Sequence, residues 1–419
     1  MFIENFLTFY TARLTRRYLA FEKYSPSSPP KPKKDSSYLL YMHIPFCEEL
    51  CPYCSFVKVK FEHSLASRYF DALKKEIGIY HELGYCFDSI YIGGGTPTIM
   101  PDRLAQIIEF VKSNWQIKQV SIETNPNHLT PKILQILKDV GTNRLSIGVQ
   151  SFNNEILESI QRLEKYGSGE EIKEKLSSVV GMFDTVNIDM IFNFPNHTSQ
   201  ILKQDIETIK EIKVDQVTYY PLMVSNSRKK ELAERCGKIN RRQEKLSYKL
   251  IVNQLSDVYN QQSLWCFSHK KGAIDEYIVD HDEYVGLGPG SWGYINGTMY
   301  SNTFSIQHYI NMLEQNKHPI VAYRSFSRRE RMHYSLLLQL LEGNLNLSLM
   351  KEKYGNHFWV GLGWELLFLL AIGATTFRGK HILLTHKERY YCLMLIRNFF
   401  SIIGDYRDVR TSLDAVSSA

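Results

Sequence analysis

Apolar runs and amphipathic segments alternate along the first half of the chain. Six short runs of β-forming residues are separated by longer segments in which apolar positions recur at helical spacing. The predicted strands are Tyr38–Ile44, Ser89–Ile92, Gln119–Glu123, Arg144–Val149, Thr185–Ile191 and Gln216–Tyr220. The predicted helices between them are Ser64–Leu83, Pro101–Ser113, Pro131–Val140, Glu170–Val180 and Gln200–Ile212. This alternation predicts βαβ units and an α/β fold, with a parallel sheet covered on both faces.

The pattern does not decide the form of the sheet, because a doubly wound sheet and a partial barrel share it. In both arrangements a ligand site lies at the carboxyl ends of the strands. Around the core we expect an amphipathic helix and a Pro- and Ser-rich linker at 1–35, the core itself at 36–225 and a connecting region at 226–326. A mostly helical, winged-helix-like region is expected at 327–419.

The amino-acid composition is that of a globular protein. The 419 residues are 44% hydrophobic and 22% charged, which excludes a mainly disordered or fibrous chain. The net charge of +6 is a mild excess and does not indicate a nucleic-acid partner. The start of the chain lacks the pattern of a signal peptide, and the odd total of seven cysteines favours a reducing cytoplasm.

One apolar stretch raises the question of a membrane segment. Residues Phe358–Ala374 are almost entirely apolar but include Glu365 near the middle. Their 17 residues stand at the short end of the range for a spanning helix. We therefore interpret this stretch as a buried helix and predict no membrane span.

Three cysteines follow the first predicted strand within eight residues, at Cys47, Cys51 and Cys54. Thiolates on one short loop are typical ligands of zinc or of an iron–sulfur cluster. A structural zinc site takes four ligands, commonly from two cysteine pairs, and no second CxxC is present, although His43 could be a fourth ligand. The pattern favours a cluster with one open iron, with zinc as the alternative. We interpret the other four cysteines, at Cys86, Cys236, Cys266 and Cys392, as reduced structural thiols.

Five motifs together resemble a known family. The cysteine motif lies in the context Tyr41-Met-His-Ile-Pro-Phe-Cys47. The other four are Gly93–Thr98, Ser121–Pro126, Arg144–Phe152 and Asn187–Pro195. Over residues 38–300 the chain resembles the radical S-adenosylmethionine (SAM) superfamily, and within it the branch of oxygen-independent coproporphyrinogen III oxidase and its heme chaperone relative.

The resemblance implies a partial (β/α)6 barrel and a [4Fe–4S] cluster on Cys47, Cys51 and Cys54. The open iron would bind SAM, and an electron from the cluster would cleave it to give a 5′-deoxyadenosyl radical. The radical would act on a tetrapyrrole or other aromatic substrate, by oxidation or methyl transfer. A reduced flavodoxin- or ferredoxin-type protein would donate the electron.

The resemblance also implies a set of SAM-binding residues. Gly94, Gly95 and Thr96 match the segment that contacts the methionine moiety, and Arg162 matches an arginine that pairs with the carboxylate. Tyr41 and Phe56 match residues beside the cluster and the adenine. Three polar residues, Glu123, Gln150 and Asp189, lie at or near the ends of predicted strands inside apolar runs, where a polar group is costly without a partner. We expect these three to face the ligand.

The chain also departs from both kinds of relative. Phe56 occupies the position where the oxidase has a fourth cysteine, and Ser55 occupies the position where the chaperone has aspartate. The chaperone's His-Asn-x-x-Tyr-Trp motif corresponds to residues 273–278, which read Ala-Ile-Asp-Glu-Tyr-Ile. We therefore expect a radical SAM enzyme with an unassigned substrate, and keep a heme chaperone without tetrapyrrole chemistry as the alternative.

Overall fold

The computed structural model of the protein describes residues 2–21, 28–270 and 281–417. The helix and linker predicted at 1–35 lie partly outside these ranges, and residues 273–278 lie entirely outside them. The domain boundaries proposed from the sequence remain predictions.

Six parallel strands form the middle of the main sheet, in the order β1-β4-β5-β6-β7-β8. Each begins and ends within two residues of a predicted run. Their bounds are β1 Tyr38–Ile44, β4 Phe87–Gly94, β5 Gln119–Thr124, β6 Arg144–Gln150, β7 Thr185–Phe192 and β8 Gln216–Pro221. Strand β1 is buried along its whole length, as expected for a strand covered on both faces.

Helices connect these strands, and the five predicted ones are found to within one residue at each end. They are α2 His63–Glu82, α3 Pro101–Asn114, α4 Pro131–Asp139, α7 Gly169–Val179 and α8 Ser199–Ile212, and two short helices, α5 Asn154–Ser159 and α6 Leu163–Tyr166, precede α7. Their first turns carry the expected caps: Thr130 accepts from the Ile133 amide before Pro131, and Ser168 and Glu171 form a capping box. The capping residues at the starts of these helices therefore match the helix boundaries that the structure shows.

The sheet extends beyond both edges of the predicted core. On one side β11 (Tyr284–Leu287) pairs parallel with β1, and three strands continue antiparallel: β12 Trp292–Ile295, β13 Thr298–Asn302 and β14 Ile320–Ser325. On the other side β10 (Cys266–Ser268) pairs antiparallel with β8, and β9 (Asn260–Gln261) with β10. Helices α9 Asn226–Cys236, α10 Arg241–Leu255 and α11 Ile306–Glu314 lie between these segments in the chain. The described part of this sheet therefore has twelve strands.

The region after residue 327 has the winged-helix order of elements that the sequence predicts. Helix α12 (Arg328–Glu342) is followed by β15 (Asn344–Asn346), α13 (Leu347–Tyr354), α14 (His357–Ala371), β16 (Thr375–Arg378) and β17 (His381–Leu384). The three strands form a small antiparallel sheet with β17 in the middle. The last helix, α15 (Tyr390–Ser417), packs along the first, α1 (Phe2–Tyr18).

Helix α14 contains most of the apolar stretch that the sequence singled out. The interpretation of this stretch as a buried helix is wrong for one face. Phe358, Leu362 and Leu366 are buried, whereas Val360 is 86% exposed and Trp364 is 79% exposed. Nearly all its residues are apolar, so the sequence showed no amphipathic pattern from which an exposed face could be predicted. Among the described residues, no helix is long and apolar enough to cross a membrane.

Candidate functional site

The three cysteines lie on one loop at the end of β1. Cys47 ends a two-residue strand, β2 (Phe46–Cys47), which pairs with β3 (Val59–Lys60) and so closes the base of the loop. Cys47 and Cys51 are buried and Cys54 is partly exposed. Burial, together with the neighbouring Cys54 and Cys51 thiols, raises the pKa of Cys47 to about 12. Without a bound cation, this thiol therefore stays protonated at neutral pH.

Two cationic side chains approach the loop. Lys58 Nζ donates to the carbonyl oxygen of Cys54 at 2.6 Å and to that of Cys51 at 3.3 Å. Arg162 Nη1 lies 3.6 Å from the Cys51 sulfur. The loop therefore stands in a positively charged environment, which favours thiolates over thiols once a metal group displaces their protons.

His43 does not complete a zinc site. Its Nε2 donates to the Val57 carbonyl at 2.8 Å, so its Nδ1 accepts from the Tyr41 hydroxyl at 2.9 Å. Both ring nitrogens are thus engaged within the protein. Across the described residues, no three His, Cys, Asp or Glu side chains converge on a point where a single metal ion could bind. A cluster takes one thiolate on each of several irons, and three separate thiols on one loop fit such a group.

Arg162 is buried, not exposed on a helix surface. Its Nη2 donates to Asn125 Oδ1 at 2.8 Å and to the Gly148 carbonyl at 2.6 Å, and its guanidinium stacks on the Tyr166 ring at 4.0 Å. Its Nε is buried without a hydrogen-bond partner among the described residues. A buried, unsatisfied donor beside Cys51 fits a site that binds an anionic group.

Asn125 links Arg162 to the glycine-rich turn. While its Oδ1 accepts from Arg162, its Nδ2 donates to Thr96 Oγ1 at 2.8 Å. The sequence motif around β5 contains Asn125, but its role was not predicted. A buried side-chain amide needs a hydrogen-bond partner for its oxygen and another for its nitrogen. The sequence alone does not show which residues these partners are, so it gave no other indication of a role for Asn125.

The glycine-rich turn packs directly against the cysteine loop. The amides of Gly95 and Thr96 donate to the carbonyls of Ile44 and Phe46, each at 2.7 Å. A Cβ on Gly95 would lie 2.6 Å from the Phe46 carbonyl and 3.0 Å from the Cys47 sulfur. Gly94 has a φ of +112°, and a Cβ there would meet the His43 ring at 2.5 Å. Only glycine allows this approach of the two segments.

Glu123 occupies the carboxyl end of β5 beside this turn. It accepts from the Tyr91 hydroxyl at 2.9 Å and from the Gly94 amide at 3.1 Å. Burial and the nearby carboxylate of Asp189 raise the pKa of Glu123 to about 7. The side chain therefore changes charge near neutral pH, at the predicted place in the sheet.

Asp189 and Gln150 lie on the neighbouring strands, where the register sets Gly148 opposite Asp189 and Glu123 opposite Ser146. Asp189 accepts from Ser146 Oγ and Asn187 Nδ2, both at 2.9 Å. Gln150 is buried with a φ of +76°, a left-handed conformation unusual for a residue other than glycine. Gln150 therefore ends β6, whereas Asp189 lies within β7, and the expectation that both face a ligand stays a prediction.

A further polar residue, Arg144, was not assigned any role from the sequence. It is almost completely buried at the start of β6, where it donates to Gln216 Oε1 at 2.8 Å and to Ser121 Oγ at 3.3 Å. Its charge partly opposes the rise in the pKa of Glu123. An arginine at the beginning of an apolar strand gave no local signal of this burial.

The last helix covers the cysteine loop, which no sequence pattern predicted. Ser225 Oγ donates to Asp408 Oδ2 at 2.5 Å, and its amide donates to Ser55 Oγ at 3.3 Å. A Cβ on Gly404 would lie 3.1 Å from Ser55 Cβ. The Arg407 guanidinium stacks on the Phe56 ring at 4.9 Å, and this ring is still 49% exposed. The structure therefore places Phe56 on the outer side of the loop, under α15.

The four remaining cysteines are free in the structure. Cys236, Cys266 and Cys392 are buried, as expected of structural thiols. Cys86 is exposed, so the interpretation as a packed structural thiol is wrong for this residue.

Comparison with known proteins was made by sequence and by structure. Residues 41–225 match the model of the radical SAM superfamily. The heme chaperone HemW of Bacillus subtilis is 28% identical over 334 residues, which cover 75% of this chain and 86% of that protein. The oxygen-independent coproporphyrinogen III oxidase of Escherichia coli is 32% identical over 192 residues, covering 43% of this chain and 41% of the relative.

The same E. coli oxidase, HemN, is similar in three dimensions. Its solved structure superposes with a TM-score of 0.73 at 20% identity, covering 92% of this chain and 95% of that one. This likeness confirms the predicted fold, an α/β radical SAM fold with a parallel sheet. Radical SAM domains use a [4Fe–4S] cluster and SAM. Residues 41–225 are therefore a radical SAM domain, in a chain whose relatives are heme chaperones and oxygen-independent coproporphyrinogen III oxidases.

Proposed function

We propose that the chain is a radical SAM enzyme in which Cys47, Cys51 and Cys54 hold the [4Fe–4S] cluster. The observation that carries the proposal is the contact of the cysteine loop with the glycine-rich turn on one side and the buried Arg162 on the other. When bound, the cluster supplies the electron for reductive cleavage of SAM. The protein supplies the position of SAM and shields the site from water.

The residues around the loop have separate tasks in this proposal. Arg162 pairs with the SAM carboxylate, for which a guanidinium fork is suited. Gly94, Gly95 and Thr96, whose turn packs against the cysteine loop, are proposed to contact the methionine moiety. Glu123, Gln150 and Asp189 are proposed to present hydrogen-bonding groups to SAM from β5, β6 and β7, and Tyr41 on β1 is proposed to lie beside the cluster. Phe56 is proposed to flank the adenine from the outer side of the loop.

The proposed substrate is a tetrapyrrole or another aromatic compound, oxidised or methylated. This part rests on the relatives, whose names include coproporphyrinogen III oxidase. The proposed partner is a reduced flavodoxin- or ferredoxin-type donor, and the proposed location is the cytoplasm.

A heme chaperone is the second candidate, favoured by one specific finding. The B. subtilis heme chaperone is 28% identical over 334 residues, whereas the coproporphyrinogen III oxidase of Salmonella typhimurium, which aligns over 88% of this chain, is 24% identical. The residues at 273–278, which differ from the chaperone motif, lie outside the described part of the chain.

Anaerobic reconstitution separates the two candidates. The protein with iron, sulfide, SAM and dithionite should release 5′-deoxyadenosine, and added coproporphyrinogen III or another tetrapyrrole should give an oxidised or methylated product by mass spectrometry. If the protein holds a reducible cluster but releases no 5′-deoxyadenosine and gives no altered tetrapyrrole, the proposed enzymatic activity is wrong. Stoichiometric heme uptake in a Soret titration would then support the chaperone.

The cluster ligands have their own test. Cys51→Ala should abolish the brown chromophore and lower the bound iron, since one of three thiolates is lost. Cys266→Ala is the matched control, because this buried thiol lies on β10 and outside the loop. A full complement of iron in Cys51→Ala would show that the ligands are misassigned.

A further inference from the structure

A largely apolar cavity of about 310 Å³ lies between four helices that are all outside the predicted core at 36–225. Its walls come from α1, α12, α14 and α15, mainly as leucine and phenylalanine side chains such as Leu14, Leu336, Phe368 and Phe399. The volume is at the lower end of the range for small-molecule sites. None of the residues proposed to bind SAM or the cluster lines it.

One carboxylate stands in this apolar wall. Glu365 Oε1 accepts from the Tyr10 hydroxyl and from His333 Nε2, both at 2.9 Å, and lies 3.7 Å from Arg329 Nη2. Its second oxygen, Oε2, is buried and has no hydrogen-bond partner among the described residues. A buried acceptor without a donor is costly, and the cost is larger for a charged group.

The Glu365 carboxylate is ionised at neutral pH. Burial alone would raise the pKa of Glu365, but hydrogen bonds from His333, the backbone and Tyr10 lower it to about 2. The Tyr10 hydroxyl and His333 Nε2, with the nearby Arg329 guanidinium, therefore stabilise an anion in the wall, while Oε2 has no hydrogen-bond donor among the described residues. A ligand that supplies a donor to Oε2 and apolar surface to the leucines would satisfy both parts of the cavity.

We propose that this cavity binds a single-chain amphiphile whose head group is an ammonium or a similar cationic donor. The charge of Glu365 excludes carboxylate and phosphate head groups, because a like charge in an apolar site is strongly repelled. Phe6 and Trp364 have exposed aromatic rings at the edge of the cavity, and these rings would cover the hydrocarbon chain of the ligand where it extends out of the cavity. The proposal is independent of the proposed enzymatic function.

The test compares three probes of equal chain length: decylamine, decanol and decanoate, below their micellar concentrations. We expect decylamine to bind the full-length protein at least about 10-fold more tightly than decanoate by calorimetry. Glu365→Gln should remove this preference while decanol still binds. Glu352→Gln, an exposed carboxylate on α13, should leave all three affinities unchanged.

A second variant keeps the test decisive if Glu365→Gln unfolds. Leu336→Trp should fill the cavity and abolish binding of every probe, with the helical circular dichroism unchanged. Equal affinity for the three probes in the wild type, absence of binding, or full binding in Leu336→Trp would each overturn the proposal.

Discussion

At the scale of single residues, Asn125 and Arg162 show how one amide organises a charged group. The amide accepts from the guanidinium with its oxygen and donates to Thr96 with its nitrogen, so it orients both the cation and the turn. The guanidinium in turn lies against the Cys51 sulfur. The position of the cation thus depends on three segments that are far apart in the chain.

Replacement of this arginine tests its proposed pairing with SAM. Arg162→Lys keeps the charge but loses the planar fork, and we expect the SAM affinity of the reconstituted protein to fall by about 10-fold. Iron content should stay unchanged, because the cysteines are intact. Arg68→Lys, at an exposed position on α2, is the control. Unchanged SAM affinity in Arg162→Lys would contradict the pairing.

The sequence assigned the candidate site residues to strands and loops that the structure contains, but the hydrogen bonds among them were not predicted. Cysteines, glycines and polar residues near strand ends carry recognisable patterns, and their proposed roles stay predictions. Asn125 and Arg144 have no such pattern, since their burial depends on side chains that come from other strands. The sequence around a residue does not show a hydrogen-bond partner that comes from a distant segment of the chain.

At the scale of elements, α2 is joined to the outer strands by the buried Glu76. This carboxylate accepts from the Gly288 amide at 2.9 Å, from Asn302 Nδ2 at 2.7 Å and from the Tyr309 hydroxyl at 2.5 Å. Burial outweighs these donors and raises the pKa of Glu76 to about 7. Folding therefore favours the protonated form of this group.

This pKa predicts a direction for the pH dependence of stability. Because the folded protein binds the proton more tightly than the unfolded chain, the contribution of Glu76 is complete below the unfolded pKa of about 4.5 and is lost as the pH rises to about 7. The free energy of unfolding should fall across this window by up to about 1.4 kcal/mol per pH unit from this group. Urea unfolding of the wild type and Glu76→Gln should show a shallower fall in the variant. Parallel pH profiles would contradict the assignment.

The elements themselves were well predicted where the period of the apolar pattern was clear. The six parallel strands and five helices have both a clean pattern and caps or breaks at their ends. The pairing of β11 with β1 was not predicted, because about 240 residues separate the two strands and a four-residue strand carries little pattern. The exposed face of α14 was missed for the opposite reason, since its composition is apolar all round.

At the scale of the whole molecule, the last helix connects the region after residue 327 to the cysteine loop. Asp408 accepts from Ser225 and Ser227, and Asp405 accepts from Asn226. These bonds join α15 to the N-terminus of α9 and, through Ser225, to Ser55 on the loop.

Asp408→Ala should loosen this covering of the loop. Loss of two hydroxyl bonds to a carboxylate is worth roughly 1–3 kcal/mol locally, and we expect a chelator to remove iron from the reconstituted protein several-fold faster. Asp102→Ala, at the first turn of α3, is the control. Equal rates of iron loss in Asp408→Ala and the wild type would show that α15 does not protect the loop.

Helix α15 also borders the apolar cavity, which gives it a second set of neighbours. Leu395 and Phe399 line the cavity, while Gly404 and Asp408 contact the cysteine loop and its anchor. Five residues of helix, about 7.5 Å, separate Phe399 from Gly404, a distance over which a helix moves as a rigid rod. An occupant that displaces one end would therefore displace the other, and by thermodynamic reciprocity a filled cofactor site would alter the affinity of the cavity to the same extent.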